Sequence, residues 1–202
     1  MKIVVAHKKG GVGKTTIAQC LCAFMQNNSI DFIAIDMDSQ RQLKEFADNR
    51  SNAFSVIEMD SKDDLERLNG FEGHIVFDMG GYDSTLSRSV LSEADVIIVP
   101  LSKSANDFDG LTKFIDVVEH TSPQAKILIA LNRIHHSDKK THQSLKDALK
   151  DSRYKVLENI IPSNAIFESQ LDTGITPLDK NTISGIGAKV EKFCNEVMKE
   201  LE

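Results

Sequence analysis

Short apolar runs alternate with amphipathic stretches along most of the chain. The runs are rich in β-branched residues, and the segments between them carry apolar residues at helical spacing. The predicted strand–helix pairs are Ile3–Ala6 with Thr16–Gln26, Phe32–Ile35 with Gln42–Asn49, Ile75–Phe77 with Thr85–Leu91, Val96–Val99 with Asp109–His120, and Ile127–Leu131 with His142–Lys150. Continuous apolar runs are typical of strands that are buried on both faces. The pattern therefore predicts a doubly wound α/β fold, a mostly parallel sheet with helices on both faces.

The remaining segments are predicted to add two strands, a loop and a final helix, and none of them marks a domain boundary. We expect further strands at Phe54–Val56 and Lys155–Ile161, a loop at Asp172–Pro177 from its turn chemistry, and a final helix at Gly187–Leu201. No repeat and no Pro/Gly/Ser-rich linker divides the chain. Residues 1–202 are therefore predicted to form a single domain.

Composition narrows the functional classes. The chain has 202 residues, 41% of them hydrophobic, and no apolar run approaches the ~20 residues of a membrane span. The segment before the first strand is too short for a signal peptide, so a cytoplasmic protein is expected. Cys20, Cys22 and Cys194 have neither disulfide nor metal-ligand spacing and are predicted to be buried. The net charge of -6 means that any contact with nucleic acid requires a local basic patch.

One glycine-rich octet follows the first predicted strand directly. It consists of Lys9, Gly10, Gly11, Val12, Gly13, Lys14, Thr15 and Thr16. Glycines allow backbone N–H groups to close around an anion, Lys14 can reach the β- and γ-phosphates, and the Thr15 hydroxyl is a suitable ligand for Mg²⁺. The helix that follows adds its positive dipole end. The octet predicts a phosphate-binding loop (P-loop) that holds a nucleotide together with Mg²⁺.

The start of this loop departs from the usual motif. Lys8 occupies the position where a glycine usually opens the loop, and a second lysine, Lys9, precedes the glycine pair. This deviant Walker A form resembles the ParA/MinD family of P-loop ATPases. The resemblance implies that Lys9 reaches the ATP of a second subunit across a nucleotide-sandwich dimer. A solvated loop lysine is the alternative interpretation.

An Asp-x-Asp pair ends the second predicted strand and is followed by Gln40, as in the same family. The resemblance implies that Asp38 positions the attacking water and that Asp36 lies nearer to Mg²⁺ and the P-loop lysine. The family usually has proline where Ser39 stands, so the loop after Asp38 is expected to be freer. Without the P-loop, the pair would be interpreted as a strand end that caps the next helix.

The apolar run His74–Phe77 ends in Asp78, the pattern of a Walker B carboxylate that holds Mg²⁺ through water. The segment Met79–Asp83 departs from the Asp-x-Pro-Pro that is frequent in the family. Gly80 and Gly81 still permit a mobile switch that senses the γ-phosphate.

Two residues are candidates for contacting the adenine base. Asn132 follows the predicted strand Ile127–Leu131, where these ATPases often carry a base-contacting polar residue, although an ordinary turn asparagine fits the pattern as well. Pro162 follows the last predicted strand. Family members frequently have arginines near Ser163 and Asn164, and this chain has none there.

Basic residues are concentrated between Arg133 and Lys155. They are Arg133, His135, His136, Lys139, Lys140, His142, Lys146, Lys150, Arg153 and Lys155. Such a cluster could bind nonspecific DNA with steep salt dependence, and a solvated helix face is an equally good interpretation.

The resemblance covers nearly the whole chain and implies a slow, Mg-dependent ATPase stimulated by a partner. The short N-terminus leaves no room for a helix-turn-helix and looks like that of small plasmid-partition ParA proteins. The implied function is DNA segregation by an ATP-dependent homodimer with a ParB-like partner, associated with the nucleoid if DNA is bound. A MinD-like membrane cycle is disfavoured by the acidic C-terminal helix. A ParA-like ATPase that positions another cargo remains open. A reductase of the nitrogenase iron-protein type is excluded, because it needs cluster-ligating cysteines on the switch loops and the three cysteines of this chain lie elsewhere.

Overall fold

A computed structural model describes residues 1–81, 84–102, 105–134, 143–144, 146–147, 154–170, 173–179 and 185–202. The strands in these residues are β1 (Lys2–Val5), β2 (Phe32–Asp36), β3 (Val56–Glu58), β4 (His74–Asp78), β5 (Val96–Leu101), β6 (Lys126–Ile134), β7 (Tyr154–Val156) and β8 (Ile161–Pro162). The helices are α1 (Lys14–Asn27), α2 (Gln42–Asp48), α3 (Lys62–Glu66), α4 (Thr85–Ser92), α5 (Ala105–Thr121), α6 (Ile166–Gln170) and α7 (Ile186–Leu201), with a 3₁₀ turn at Pro177–Asp179.

The strands form a twisted α/β sheet in the order β3-β2-β4-β1-β5-β6-β7, and β8 pairs with the far end of β6. Every strand pair in the described residues is parallel. The carboxyl ends of the strands therefore meet at one edge of the sheet, where ligands bind in doubly wound folds. The predicted fold class is confirmed.

Two hydrophobic cores cover the two faces of the sheet. Successive residues of β1 alternate between them: Ile3 and Val5 pack in the core that contains α1, α2 and α7, and Val4 packs in the core that contains α3, α4 and α5. This alternation follows from the two-residue period of a strand. All three cysteines lie in the first core as free, buried thiols, as predicted. Within the described parts of the chain, every helix is too short or too polar to cross a lipid bilayer.

Two predicted strands are placed or bounded wrongly by the sequence pattern. The strand predicted at Phe54–Val56 is found at Val56–Glu58, because Phe54 packs its ring against Phe32 and Phe46 from the preceding loop. The strand predicted at Lys155–Ile161 is divided into β7 and β8. The backbone N–H groups of Glu158 and Asn159 donate to the Glu196 carboxylate on α7, at 2.7 and 2.8 Å, instead of to a neighbouring strand.

Other boundaries follow from local capping. Helix α3 has no counterpart in the prediction, although Ser61 and Asp64 form a capping box at its first turn. The final helix is confirmed at Ile186–Leu201. Helix His142–Lys150 lies largely outside the described residues, and the loop predicted at Asp172–Pro177 is described only from residue 173 onward.

A partly buried ion pair fixes the segment before the 3₁₀ turn. The Arg50 guanidinium, at the end of α2, donates to both carboxylate oxygens of Asp179 at 2.9 and 2.8 Å and to the carbonyl of Gly174 at 2.9 Å. Gly174 has φ +76°, and a Cβ there would lie 2.5 Å from the backbone of Asn49. Only glycine therefore fits at position 174, where the segment before the 3₁₀ turn passes close to the end of α2.

Candidate active site

The P-loop spans the turn from the end of β1 to the start of α1. Gly11 and Gly13 have φ of +74° and +93°, a region that side-chain-bearing residues rarely adopt. Gly13 lies at the N-cap of α1, so the free N–H groups of the helix and its positive dipole end face the loop. The glycines therefore have the conformational role that the sequence predicts, in a loop suited to bind an anion.

Lys14 lies at the centre of the charged groups of this edge. Its side chain is buried, and its Nζ donates to the carbonyl of Lys9 at 3.2 Å. Burial lowers the pKa of Lys14, while the carboxylates of Asp78 and Asp38 act to raise it. The ammonium group thus lies between the P-loop and two carboxylates, where it can neutralise charge on a phosphate.

Lys9 is exposed, and its backbone is hydrogen-bonded to the side chain of His7. The Lys9 N–H donates to Nδ1 of the buried His7 at 2.9 Å. The His7 ring in turn packs against Phe114 of α5, with the ring centroids 5.8 Å apart. Because Nδ1 accepts a hydrogen bond, the neutral ring carries its proton on Nε2. Sequence reasoning missed His7, since a single histidine beside a strand carries no signal of its own.

The Asp36 carboxylate organises the loop that carries Asp38. Its two oxygens accept the backbone N–H groups of Asp38 and Lys44, both at 3.0 Å. Asp38 in turn accepts the N–H of Gln40 at 2.9 Å. Burial raises the pKa of Asp36, and the two backbone donors oppose that rise. The guanidinium of Arg41 donates to the carbonyl of Asp36 at 2.7 Å and completes the loop.

Asp78 is placed opposite Asp36 in the register of β2 and β4. It is buried, and apart from the Thr15 hydroxyl beside it, its carboxylate has no hydrogen-bond partner in the described part of the chain. Burial raises the pKa of Asp78 to about 7, and the nearby Thr15 hydroxyl and Lys14 ammonium oppose this rise. A buried carboxylate with only a threonine hydroxyl beside it fits a hydrated Mg²⁺, which binds through few protein oxygens and retains water.

Gly80 lets the chain after β4 approach Asp38 closely. A Cβ on Gly80 would lie 3.0 Å from Cα of Asp38 and 3.1 Å from its Cγ and Oδ2. A Cβ on the neighbouring Gly81 would meet no atom within 4 Å. The two glycines that the sequence groups together therefore differ: Gly80 packs tightly against the Asp38 loop, and Gly81 faces open space.

A cavity of about 310 Å³ opens beside the P-loop, between α1, β6, β8 and α6. It is lined by Thr15, Thr16, Gln19, Gln42, Asn132, Arg133, Pro162, Ser163, Asn164, Phe167 and Glu168. Its size suits a nucleoside, and most of its lining is polar but uncharged. The cavity unites both predicted adenine-contacting residues with the end of the P-loop. No local sequence pattern indicates Gln19, Gln42 or Phe167 as lining residues.

Asn132 differs from the prediction in position and contacts. It lies within β6, not after the strand, and is 1% exposed, so the ordinary turn asparagine is wrong. Its Nδ2 donates to the carbonyl of Val12 at 2.9 Å, and its Oδ1 accepts the N–H of Arg133 at 2.9 Å. The Arg133 guanidinium donates to the carbonyl of Gly11 at 3.0 Å. Both residues thus contact the P-loop backbone.

The described members of the Arg133–Lys155 cluster are engaged with other groups. Lys146 forms an ion pair with Glu158, and Lys155 forms one with Glu200 of α7. Arg133 donates to the Gly11 carbonyl, and the side chains of the seven remaining cluster members lie outside the described residues. The available contacts thus favour paired surface lysines at these two positions over cations free to bind phosphate.

The comparisons with known proteins agree with this arrangement. A family model described as "CobQ/CobB/MinD/ParA nucleotide binding domain" matches residues 3–178, so the chain belongs to this family of nucleotide-binding domains. The predicted ParA/MinD resemblance is confirmed. No curated protein matches the chain.

Solved structures of the same fold cover the chain almost completely. The MinD cell division protein of Aquifex aeolicus has a TM-score of 0.77 at 15% identity, covering 98% of this chain and 97% of that one. A putative plasmid partition protein of Borrelia burgdorferi bound to AMPPNP has a TM-score of 0.74 at 18% identity, covering 98% of each chain. MinD of Pyrococcus horikoshii complexed with Mg-ADP has a TM-score of 0.75 at 17% identity, covering 99% and 96%. At these identities the likeness shows the fold.

Proposed function

We propose that this member of the CobQ/CobB/MinD/ParA family is a ParA-type ATPase that dimerises on binding ATP. The observation that carries the proposal is the buried Lys14 ammonium between the P-loop and the carboxylates of Asp38 and Asp78, next to a nucleoside-sized cavity. Its cofactors are ATP and Mg²⁺, in line with the AMPPNP and Mg-ADP held by two of the structures of the same fold. Residues 1–202 act as one P-loop domain in this proposal, in the cytoplasm.

The P-loop residues divide the binding of the phosphates. The backbone N–H groups of the segment Gly10–Gly13, together with those of Thr15 and Thr16, surround the phosphate chain, and Lys14 neutralises it. Thr15, Asp78 and Asp36 would hold the Mg²⁺ ion, and the Asp36 carboxylate also shapes the loop by accepting two backbone N–H groups. When bound, Mg²⁺ neutralises charge that develops on the phosphate oxygens.

Two residues act on the reaction itself. Asp38 orients a water molecule toward the terminal phosphate, from a loop whose backbone is fixed by the Asp36 carboxylate. Lys9 is exposed at the mouth of the site and supplies its charge to the nucleotide of the second subunit. A cation delivered in trans to a phosphoryl-transfer site contributes roughly 10³–10⁵ in rate, so the isolated monomer turns over slowly.

The base occupies the cavity beside the P-loop in this proposal. Asn132 has one amide hydrogen left after its bond to Val12 and can donate it to the adenine ring. Pro162 is buried at the cavity wall and packs against the base. The neutral polar lining suits a nucleoside better than it suits a further phosphate.

The biological role that fits this chemistry best is DNA segregation. The ATP-bound dimer holds nonspecific DNA, and a ParB-like partner stimulates hydrolysis and release. Support comes from the family and from the basic composition of the Arg133–Lys155 segment.

A second candidate is a ParA-like ATPase that positions a different cargo on a protein or membrane surface. The observation in its favour is the pairing of Lys146 with Glu158 and of Lys155 with Glu200, which neutralises two lysines of the proposed DNA-binding cluster. Exposed pairs of this kind are weak, so phosphate can displace them, and they lower DNA affinity without preventing binding.

The two candidates are separated by binding to nonspecific duplex DNA with ATP, with ADP and without nucleotide, over a series of salt concentrations. Segregation on DNA predicts binding that requires ATP and weakens steeply as salt rises. Absence of binding in all three states, with ATP-dependent dimerisation intact in light scattering, rejects DNA as the matrix and favours the second candidate.

A further inference from the structure

Two consecutive carbonyl groups of the P-loop are held by side chains from β6. Arg133 Nη1 donates to the Gly11 carbonyl at 3.0 Å, and Asn132 Nδ2 donates to the Val12 carbonyl at 2.9 Å. The loop and the strand are 120 or more residues apart in the sequence. These are side-chain bonds to backbone groups that no helix or sheet ladder uses, so they fix the orientation of the two peptide planes.

The orientation of these carbonyls sets the direction of the phosphate-binding donors. In a trans peptide the C=O and the following N–H point in opposite directions. When Arg133 holds the Gly11 carbonyl, the N–H of Val12 points to the other side of the loop. When Asn132 holds the Val12 carbonyl, the N–H of Gly13 does the same. A P-loop binds phosphates through backbone N–H groups of this kind.

The strand is distorted in the way that this double contact requires. Neighbouring residues of a regular strand point to opposite faces, so Asn132 and Arg133 could not both reach the loop. Arg133 adopts φ +56°, the register between β6 and β8 shifts between Asn132 and Ile134, and the Asn132 Oδ1 accepts the Arg133 N–H. Left-handed backbone at a non-glycine residue costs energy and is concentrated at functional sites.

The loop is shaped to accept this contact. A Cβ on Gly13 would lie 1.8 Å from Asn132 Nδ2, so glycine at position 13 is required by Asn132 as well as by its own φ of +93°. Arg133 also lines the cavity beside the P-loop, so its side chain is engaged with the site.

We propose that Asn132 and Arg133 form a brace that preorganises the Val12 and Gly13 N–H groups for phosphate binding, with Arg133 as a positioning residue. The inference rests on the proposed nucleotide binding and adds Arg133 to the residues that support it. Because the brace acts through the P-loop backbone, it strengthens binding of every nucleotide whose phosphates use those N–H groups, whether or not a γ-phosphate is present.

The test measures the affinity of Arg133 variants for ADP and for AMPPNP, both with Mg²⁺, by calorimetric titration. We expect Arg133→Ala to weaken both nucleotides by the same factor, roughly fivefold to tenfold, as for loss of a charge-assisted hydrogen bond. Arg133→Lys, which retains one donor, recovers part of the loss. Arg133→Gly tolerates positive φ without strain and still loses as much affinity as Arg133→Ala, because the guanidinium is missing.

Arg67→Ala is the matched control, since Arg67 is an exposed arginine whose guanidinium pairs with Asp64 on the same helical turn. It leaves both affinities unchanged. A purely structural role for Arg133 predicts a lower unfolding midpoint of the nucleotide-free protein with unchanged affinity, which overturns the inference. A loss confined to AMPPNP also overturns it, because it indicates direct contact with the γ-phosphate. If the unaltered protein binds neither nucleotide, the proposed function fails instead.

Discussion

The phosphate side and the base side of the site are built differently. The phosphate side collects charged groups from the ends of three neighbouring strands, β1, β4 and β2, and its carboxylates lie opposite each other in the sheet register. The base side is the cavity between β6, β8 and α6, whose lining is mostly neutral and polar. On the phosphate side, residues act by charge, so we expect the removal of a single charged group to weaken the binding or hydrolysis of ATP strongly. On the base side, residues act by packing and hydrogen bonding, so we expect the loss of a single contact to weaken ATP binding only slightly.

The largest expected effect is on the phosphate side, at Lys14. Lys14→Ala removes the buried ammonium that lies between the P-loop and two carboxylates, and it leaves Asp78 and Asp38 without that cation. We expect ATP affinity to fall by more than about 100-fold. Titration with ATP and Mg²⁺ measures it, with Lys192→Ala, an exposed lysine of α7, as the control. Unchanged affinity in Lys14→Ala would contradict the assignment of the P-loop.

Gly80 tests whether the phosphate side depends on backbone packing as well as charge. Gly80→Ala puts a Cβ within 3.0–3.1 Å of Asp38 and displaces it by a few tenths of an ångström. We expect ATP hydrolysis to slow by about tenfold with ATP affinity unchanged, since small displacements of a catalytic group are costly. Gly81→Ala meets open space and slows hydrolysis much less. Equal turnover in the two variants would remove the contact between Gly80 and Asp38 from the account.

Asp78 links stability to function on the phosphate side. Its pKa of about 7 lies above the ordinary value of 3.8, so the folded state binds the extra proton between these pH values and loses stability as pH rises through this window. Asp78→Asn removes the buried charge. We expect it to raise the free energy of unfolding of the nucleotide-free protein at pH 8 by up to ~4 kcal/mol, with no gain at pH 4.

Chemical denaturation of both proteins at pH 4, 6 and 8 measures this difference. The same variant loses the Mg²⁺ dependence of ATP binding, because the amide is a poor ligand for the ion. If the difference in unfolding free energy between Asp78→Asn and the unaltered protein does not vary with pH, the burial of an ionised Asp78 does not destabilise the fold.

The smallest expected effect is on the base side, at Pro162. Pro162→Ala removes ring atoms from the cavity wall, and we expect ATP affinity to fall by about threefold, the value for loss of a small apolar contact. Titration of ATP and of pyrophosphate separates the regions, since pyrophosphate lacks the nucleoside. Equal loss for both ligands would contradict the placement of the base in this cavity.

The two regions also differed in how far the sequence predicted them. The phosphate side follows from local motifs, because Lys14 belongs to a glycine-rich octet, Asp36 and Asp78 each end an apolar run, and the ends of parallel strands must meet. The base side depends on contacts between distant segments. The brace of Asn132 and Arg133 needs a left-handed residue and a bulge in β6, and neither follows from local propensity.

The errors in the fold have a similar origin. Phe54 has strand propensity but packs from a loop onto Phe32 and Phe46. The run Lys155–Ile161 has the sequence pattern of one strand. The backbone N–H groups in the middle of this run donate to Glu196, about 40 residues later, so the strand is interrupted there. Tertiary contacts override the local pattern at these places.

The central claim is that Lys9 completes the site of the other subunit, and mixing two inactive variants tests it most directly. Lys9→Ala retains Asp38 but supplies no lysine, and Asp38→Ala supplies the lysine but cannot position water. In a mixed dimer one site has both groups. ATP turnover of an equimolar mixture, at concentrations where one tagged variant retains the other on an affinity resin, should recover to about a quarter of the wild-type value, since half of the dimers are mixed and each has one complete site. Turnover no higher than the sum of the two variants measured alone, with mixed dimers present, would contradict the contact in trans.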